Sequence, residues 1–396
     1  MHTLQSAQEA TRRMRKDLFV QEIETQMTDQ RVRIVRPASD TGYNRARELV
    51  LKYGWNSTCF QIVNPGIEYW FGDDGDSVVG YVTSGRSRVV AGAPVCSKDS
   101  LPGVVAAFER DAAASDLGVC YFMAEARLES VFSDSKDHAR VLLGAQPVWH
   151  PKNWPEIMAS RSSLRAQFNR ARNKGVTICE WSVEKATNNP QLRECLEAWL
   201  RSKGLPPLHF VIEPETLERL DNRRIFVAEH KSNVAAFLVL SPIPGRNGWL
   251  TEQFPHDPSA RNGTVELMMD AAIRVLGDEG FDYVTLGLSP LSKRAKIEPF
   301  DNPVWLRILL AWMRKHGQRF YNFDGLDAFK SKMTPELWEP VFAISNEPTF
   351  SGSTLYSIAL AFTDNAPFRV IGGGLRRAVK TELLTFGRKL KKSLSG

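Results

Sequence analysis

The feature that most restricts the fold of this chain is an order of predicted helices and strands that occurs twice. In the first occurrence, a strand and a helix ending near Gly54 precede four strand-like segments, a helix and a strand, over residues 32–37, 42–54, 59–63, 67–71, 77–83, 88–91, 101–115 and 119–124. In the second, strands at 176–181, 225–229, 234–240, 248–253 and 281–288 accompany helices at 192–202 and 264–277. A final strand pair is expected near 320–323 and 341–344, after an inserted segment with a helix at 304–315. Two similar halves in a mixed α+β fold are the simplest architecture for this order.

The length of 396 residues suits two domains that each bury a core. A basic helix over 161–175, which ends at a glycine, joins the halves. The predicted division has five parts: a polar segment at 1–30, a first domain at 31–160, the connecting helix at 161–175, a second and catalytic domain at 176–350, and a basic amphipathic tail at 351–396.

Composition excludes several classes of protein. Charged residues are 24% and hydrophobic residues 43%, which is typical of a soluble globular chain. The five cysteines are scattered without a C-x-x-C pair, so neither a disulfide framework nor a structural zinc site is expected. The longest apolar run, 234–240, is far shorter than the roughly 20 residues of a spanning helix, and the first residues do not resemble a signal peptide. We therefore expect a cytoplasmic protein that is not integral to a membrane. The seven histidines show no ligand spacing, so no metal is expected.

The positive charge of the chain is concentrated at its end. Residues 367–396 contain eight basic residues and one acidic residue, a net of +7, whereas the other 366 residues sum to −1. Apolar residues recur there at helical spacing, at Leu375, Val379, Leu383, Phe386, Leu390 and Leu394. Such a helix can lie on the inner face of an anionic membrane, dock on the protein's own core, or contact RNA. The first of these makes the protein peripheral to the membrane.

Seven segments together resemble the cytosolic catalytic domain of the phosphatidylglycerol lysyltransferases, the multiple peptide resistance factors. They are LVLKYGWNSTCFQIV (49–63), VVAGAPVCSKDSL (89–101), FMAEARL (122–128), LRAQFNRARNKGV (164–176), TVELMMDAAI (264–273), YVTLGLSPLS (283–292) and FYNFDGLDAFKSKMTPELWEPVFAI (320–344). The resemblance implies a tandem pair of acetyltransferase-like (GNAT) domains. It also implies a peripheral transferase that moves an amino acid from aminoacyl-tRNA to a phosphatidylglycerol-like lipid, with no cofactor, and it makes residues 367–396 the anionic-lipid contact.

The chain departs from the family pattern at three motifs. The usual G-D-P turn is Gly92-Ala93-Pro94, which lacks the acidic residue. The D-L-M-R motif ends in Met269 instead of arginine, and the G-L-R turn has Asp327 in place of its arginine. These changes bear on amino-acid and lipid specificity more than on the fold.

The resemblance and the local chemistry together give the candidate site residues. Transfer from an ester to a hydroxyl needs positioning, a base and oxyanion stabilisation. The candidates for proton handling are Glu266, Glu252 and Asp257, and those for substrate binding are Lys330, Lys332, Glu125, Gly287, Ser289, Arg165, Arg170 and Arg172. Each has a structural alternative: surface lysines, a helix-start carboxylate favoured by the helix dipole, a strand-end turn, or a solvated arginine face.

Two other functions remain open at this stage. One is an N-acyltransferase on the same fold that uses acyl-CoA or an acyl carrier, although the chain lacks a Q/R-x-x-G-x-G/A pyrophosphate loop. The other is a lipid- or RNA-binding module without catalytic activity.

Overall fold

A computed structural model describes residues 40–203, 208–295, 302–309 and 323–363. Its helices are α1 Asp40–Tyr53, α2 Leu101–Ala113, α3 Ala126–Glu129, α4 Trp154–Ala159, α5 Ser162–Asn173, α6 Val183–Ala186, α7 Pro190–Lys203, α8 Thr264–Asp278, α9 Phe323–Lys332 and α10 Gly352–Phe362. Its strands are β1 Glu68–Phe71, β2 Val78–Ser84, β3 Ser87–Ala91, β4 Gly118–Ala124, β5 Ala139–Trp149, β6 Val176–Trp181, β7 Arg224–His230, β8 Asn233–Ile243, β9 Gly248–Gln253, β10 Tyr283–Thr285, β11 Ser289–Pro290 and β12 Leu337–Ser345.

The strands form one mixed sheet that runs through both halves of the fold. Its order is β1-β2-β3-β4-β12-β5-β10-β9-β8-β7-β6, and β11 pairs with β5. Each half contains antiparallel strands followed by one parallel pair, β3 with β4 and β9 with β10. This repeated topology confirms the mixed α/β fold of two GNAT-like halves.

The last strand of each half comes from the other stretch of chain. β5 precedes the second half in sequence and pairs with β10, whereas β12 follows the second half and pairs with β4. β5 and β12 also pair with each other, from Leu337 opposite Val148 to Ser345 opposite Ala139. The predicted connecting helix at 161–175 separates the two halves in sequence. In the sheet, however, each half includes one strand from the other side of that helix. The division into domains itself stays a prediction.

In the second half, helices cover both faces of the sheet, because successive side chains along its strands are apolar on either face. In β8, Ala236 and Leu238 belong to the core cluster that contains α5 and α8, whereas Phe237 and Val239 pack with α7. Because successive strand residues point to opposite faces, a continuous apolar run is what a strand buried on both faces requires. The apolar run 234–240 therefore serves as a central strand.

Three predictions of local structure are wrong. Residues Cys59–Val63 form a 3-10 helix instead of a strand, and all five are buried, so they lack the alternation of a half-exposed strand. The strand predicted at 281–288 covers only Tyr283–Thr285, because Gly287 has a φ of +66°. Residue 323 starts α9 instead of ending a strand. The sequence also gave no indication of β5.

Some predictions fall outside the described residues. These include the segment 1–30, the strand at 32–37 and the basic stretch 367–396. Residues 352–362, which the prediction included in the tail, form α10; its Ile358 is 6% exposed and belongs to a buried core cluster. Among the described helices, none has both the length and the apolar character needed to cross a bilayer.

Candidate active site at the open end of the second parallel strand pair

The pairing between the parallel strands β9 and β10 stops before β9 ends. Their pairing runs from Tyr283 opposite Gly248 to Thr285 opposite Leu250. β10 ends at Thr285, whereas β9 continues to Gln253. Beyond Thr285 the two strands are no longer paired, and the loop 286–289 follows β10 at this end; we call this position the wedge.

A buried lysine holds the loop beside this wedge. Lys330 from α9 is 3% exposed, and its Nζ donates to the carbonyl oxygens of Gly287 at 2.8 Å and Leu288 at 2.7 Å. The Gly287 N–H donates to Thr285 Oγ1 at 3.0 Å, which fixes the turn where φ is positive. Burial lowers the pKa of Lys330 from its usual 10.5 to about 7. The amine is therefore both fixed in position and able to change protonation state near neutral pH.

Lys330 lies near the end of α9 and is buried, so it is not the surface lysine of the structural alternative. Two of the three N–H groups of its ammonium form are directed at carbonyl oxygens. Contact of Lys330 with a substrate phosphate stays a prediction.

An ion pair joins the start of α8 to the end of α9. Lys332 Nζ lies 2.7 Å from Glu266 Oε1, and the side chains are 36% and 14% exposed. The rings of Phe254, after β9, and Phe329, on α9, stack with centroids 5.5 Å apart. Glu266, Lys330 and Lys332 thus lie around one end of α9.

Asp327 links α9 to the loop that follows β10. Its carboxylate accepts from Ser289 Oγ at 3.2 Å and from Arg294 Nε at 2.8 Å. Although burial acts to raise the pKa of Asp327, the hydrogen bonds from Arg294 and Ser289 hold it below its usual value. The guanidinium of Arg294 lies 5.4 Å from the ring centroid of Trp338 and is partly exposed. Arg294, which was not among the residues predicted from the sequence, pairs with the residue that stands where the family motif has its arginine.

The other two predicted acids contact groups away from Lys330. Glu252 accepts from Arg223 Nε at 2.9 Å, and both side chains are almost fully buried. Asp257 accepts from the backbone N–H and Oγ of Ser259, which lowers the pKa of its carboxyl. These contacts stabilise the fold, and the role of either residue as a base stays a prediction without support from the geometry.

The three arginines of the connecting helix lie on its exposed face. Leu164, Phe168 and Ala171 form the buried face of α5. Arg165 donates to the carbonyl oxygens of Met158, at 2.6 Å, and Ala159, so it caps the preceding α4. Arg170 and Arg172 are also exposed, and Arg172 donates to Asn169 at 3.2 Å. This placement is compatible with an RNA backbone contact and equally with a solvated face.

Glu125 belongs to a second cluster, at the junction of the halves. Its carboxylate accepts from Ser57 N at 2.6 Å and from Arg246 Nη2 at 2.7 Å. Nη1 of Arg246 donates to both oxygens of Glu339 at 2.8 and 2.9 Å, and Tyr283 Oη donates to the same carboxylate at 2.9 Å. Burial raises the pKa of Glu125, although Arg246 acts against it. A cavity of about 460 Å³ opens beside these side chains. The cluster lies around the start of β10, whereas Lys330 contacts the loop after its end.

The corresponding wedge of the first half is filled by its own chain. β3 and β4 pair in parallel up to Ala91 opposite Phe122. Next to this end, Asn56 Nδ2 donates to Thr58 Oγ1 at 2.8 Å and to the Met123 carbonyl oxygen at 3.1 Å. Residues 56–64 are all buried. Buried residues of the first half therefore occupy the end of its own parallel strand pair.

Comparison with known proteins places this architecture in a family. Residues 47–345, about three quarters of the chain, match the family described as "Phosphatidylglycerol lysyltransferase, C-terminal". The chain belongs to this family. A phosphatidylglycerol lysyltransferase of Bacillus subtilis (strain 168) is 21% identical over 270 residues, which are 68% of this chain and 31% of that protein. The chain thus corresponds to about a third of the length of this curated relative.

Two solved structures of phosphatidylglycerol lysyltransferase relatives have the same fold. One is the C-terminal domain of a protein named a lysylphosphatidylglycerol synthetase in Agrobacterium fabrum, with a TM-score of 0.68 and 19% identity over 82% of this chain and 98% of that chain. The other is L-PGS from Bacillus licheniformis, with a TM-score of 0.67 and 19% identity over 80% of this chain and 95% of that chain. At this identity the similarity establishes the fold.

The departures from the lysyltransferase motifs have structural counterparts. Met269 is 1% exposed in the core under α8, so the position of one missing arginine is apolar and buried here. Asp327, at the other position, pairs with Arg294. Within the described residues, no group of three or more His, Cys, Asp and Glu side chains is arranged to hold a metal ion.

Proposed function

We propose that this chain transfers an aminoacyl group from aminoacyl-tRNA to a hydroxyl of a phosphatidylglycerol-like lipid, in the wedge beside Lys330. Membership of the phosphatidylglycerol lysyltransferase C-terminal family supports the lipid acceptor and the transfer. The observation that carries the proposal is the buried Lys330 amine, fixed by two carbonyl oxygens next to the wedge.

The reaction needs one proton to move between two oxygens. The lipid hydroxyl attacks the ester carbonyl of the aminoacyl-tRNA, and the bond from that carbonyl to the ribose oxygen breaks. The proton leaves the lipid hydroxyl and ends on the ribose oxygen. A group with a pKa near the working pH suits such a transfer, and Lys330 has a pKa of about 7. In its neutral form the amine donates to Gly287 and Leu288 and keeps a lone pair for the hydroxyl proton.

The remaining polar groups would position the substrates. Arg294, partly exposed above Trp338, offers a guanidinium to a phosphate of the lipid or of the tRNA end. Arg165, Arg170 and Arg172 provide a row of cations for the RNA backbone. The Glu266–Lys332 pair holds α8 and α9 together at the wedge.

The start of α8 argues against the use of acyl-CoA. The amino end of a helix binds phosphate when its first N–H groups are open to an anion. Here the first turn of α8 carries the carboxylate of Glu266, which is paired with Lys332. Because this ion pair occupies the first turn and carries no net positive charge, it adds no attraction for a pyrophosphate at this place.

Incubation of the purified protein with labelled aminoacyl-tRNAs and vesicles that contain phosphatidylglycerol tests the proposal. Label should enter the lipid fraction, and Lys330→Met should reduce the rate by about a hundredfold or more, the usual contribution of a proton-transfer group. Lys136→Met, at an exposed lysine of the first half, is the matched control and should transfer at the wild-type rate. Absence of label in lipid with every aminoacyl-tRNA would refute the proposal.

A further inference from the structure

A helical turn over the described residues 304–309 exposes an unusual amount of apolar surface. Val304 is 65% exposed, Trp305 42% and Ile308 65%. Half of the six exposed large hydrophobic side chains in the described part of the chain thus lie in one turn. A contiguous exposed patch of this kind marks an interaction surface, whereas single exposed apolar residues are ordinary.

The turn is fixed to the sheet. The side-chain amide of Asn302 forms two hydrogen bonds with the backbone of Leu142 in β5. Its Oδ1 accepts from Leu142 N at 2.9 Å, and its Nδ2 donates to the Leu142 carbonyl oxygen at 3.0 Å. Leu306, on the opposite side of the turn from Ile308, is 1% exposed. The exposed side chains are therefore held outwards by the fold.

The turn also lies next to the candidate active site. Leu306 and Leu309 belong to the same cluster of apolar side chains as Leu288. The carbonyl oxygen of Leu288 accepts a hydrogen bond from Lys330. The turn and the loop that Lys330 holds are also joined to adjacent residues of β5: Asn302 bonds Leu142, and the carbonyl oxygen of Leu143 accepts from Leu291 N at 2.8 Å.

The charge around the patch identifies its occupant. The described residues 293–295 and 302–309 contain three basic residues, Lys293, Arg294 and Arg307, which are all exposed, and no acidic residue. A second copy of the same segment would be repelled by this charge, whereas an anionic bilayer attracts it. Tryptophan beside aliphatic residues and cations is the composition that settles at the boundary between headgroups and acyl chains.

We propose that Val304, Trp305 and Ile308 insert into an anionic bilayer and hold the Lys330 wedge at the membrane surface. This inference rests on the proposed function, since it explains how a lipid hydroxyl reaches the site without the lipid leaving the membrane. It also assigns a bilayer contact separate from the predicted one at 367–396.

An environment-sensitive fluorophore on a single cysteine tests the insertion directly. Cys179 is the one exposed cysteine among the five, so the full-length wild-type protein can be labelled there as the control. The test protein carries Ile308→Cys and Cys179→Ser. With vesicles of phosphatidylglycerol and phosphatidylcholine, the probe at 308 should shift to blue emission and be quenched by brominated acyl chains. The probe at Cys179 should keep its emission in water.

Bulk binding gives a second, independent measurement. Replacing Trp305 and Ile308 together by serine should weaken co-sedimentation with these vesicles by about tenfold or more, because several buried methylene groups are lost. Ile212→Ser, at a side chain that is 48% exposed elsewhere, should cause a smaller loss.

The proposal is overturned if the probe at 308 keeps its emission in water while protein sediments with vesicles, if both probes shift alike, or if no protein binds. Neither measurement depends on catalysis. Insertion without aminoacyl transfer would refute the proposed function alone, and transfer to vesicle lipid without insertion would refute this inference alone.

Discussion

Replacement of Arg246 by methionine should destabilise the junction between the halves. The guanidinium pairs with Glu125 at 2.7 Å and with Glu339 at 2.8 Å, and its side chain is 9% exposed. It also lies 3.8 Å from the ring centroid of Trp55 and 4.5 Å from that of Tyr283. Methionine keeps much of the apolar packing and removes the charge. The carboxylate of Glu125, which is 2% exposed, then has no cation beside it.

The expected loss is large for a single substitution. Removal of one partner of a buried ion pair costs about 3–5 kcal/mol, because the other charge stays buried without compensation. The pKa of Glu125 is already raised by burial, so in Arg246→Met this carboxyl should become still easier to protonate. A group whose folded pKa lies above its unfolded value stabilises the fold at low pH and loses that contribution as pH rises through the folded pKa. The destabilisation should therefore be smaller at pH 5 than at pH 8.

Urea unfolding followed by tryptophan fluorescence and circular dichroism measures this loss. Arg246→Met combined with Glu125→Gln should recover most of it, since no buried charge is then left beside the methionine. The matched control is Arg201→Met, at an exposed arginine that pairs with Glu197 at 3.3 Å, and it should change the free energy of unfolding by less than about 0.5 kcal/mol. A loss below about 1 kcal/mol for Arg246→Met, or no recovery in the double variant, would show that the network does not stabilise the junction as argued.

Two other predictions concern Lys330 and the filled wedge of the first half. Because the pKa of Lys330 is about 7 in the folded chain and 10.5 when unfolded, the free energy of unfolding should rise between these values by up to about 1.4 kcal/mol per pH unit relative to Lys330→Met. Urea unfolding of both proteins at several pH values measures this, and parallel pH profiles would contradict it. Gly92→Ala places a Cβ 2.2 Å from Thr58 Oγ1, whereas Gly175→Ala, at the same φ of +82°, meets its nearest atom at 3.9 Å on His230. Thermal unfolding should therefore show Gly92→Ala about 1–3 kcal/mol less stable than Gly175→Ala. Equal losses of stability would mean that residues 56–58 move aside without cost, which contradicts the argument.

The sequence predicted those elements whose signal is local. Helices α1, α2, α5, α7 and α8 lie close to their predicted bounds, because amphipathic spacing and terminal glycines are written within a dozen residues. The same holds for β7, β8 and β9. β5 gave no such signal: it contains Gly144 and Pro147, residues that disfavour a central strand, and it is held by partners on both sides that are distant in sequence.

The candidate site was predicted in part. The resemblance pointed to Glu266, Lys330 and Lys332, and the fold brings these three to one end of α9. It gave no indication of Arg294 or Arg246, since each acquires its partners only when separate loops and strands meet. Glu125 matched a family position in sequence, yet the fold places it in the junction network instead of beside Lys330.

The sequence by itself determined the family, the twofold order of elements and the apolar faces of most helices and strands, because each depends on residues that are near one another along the chain. Only the tertiary structure decided which half supplies β5 and β12, that the first wedge is filled by residues 56–58, and that Lys330 has a pKa near neutrality. Strand pairing, close packing and desolvation are interactions between residues that are far apart in sequence. Their free energies exist only after the chain has folded.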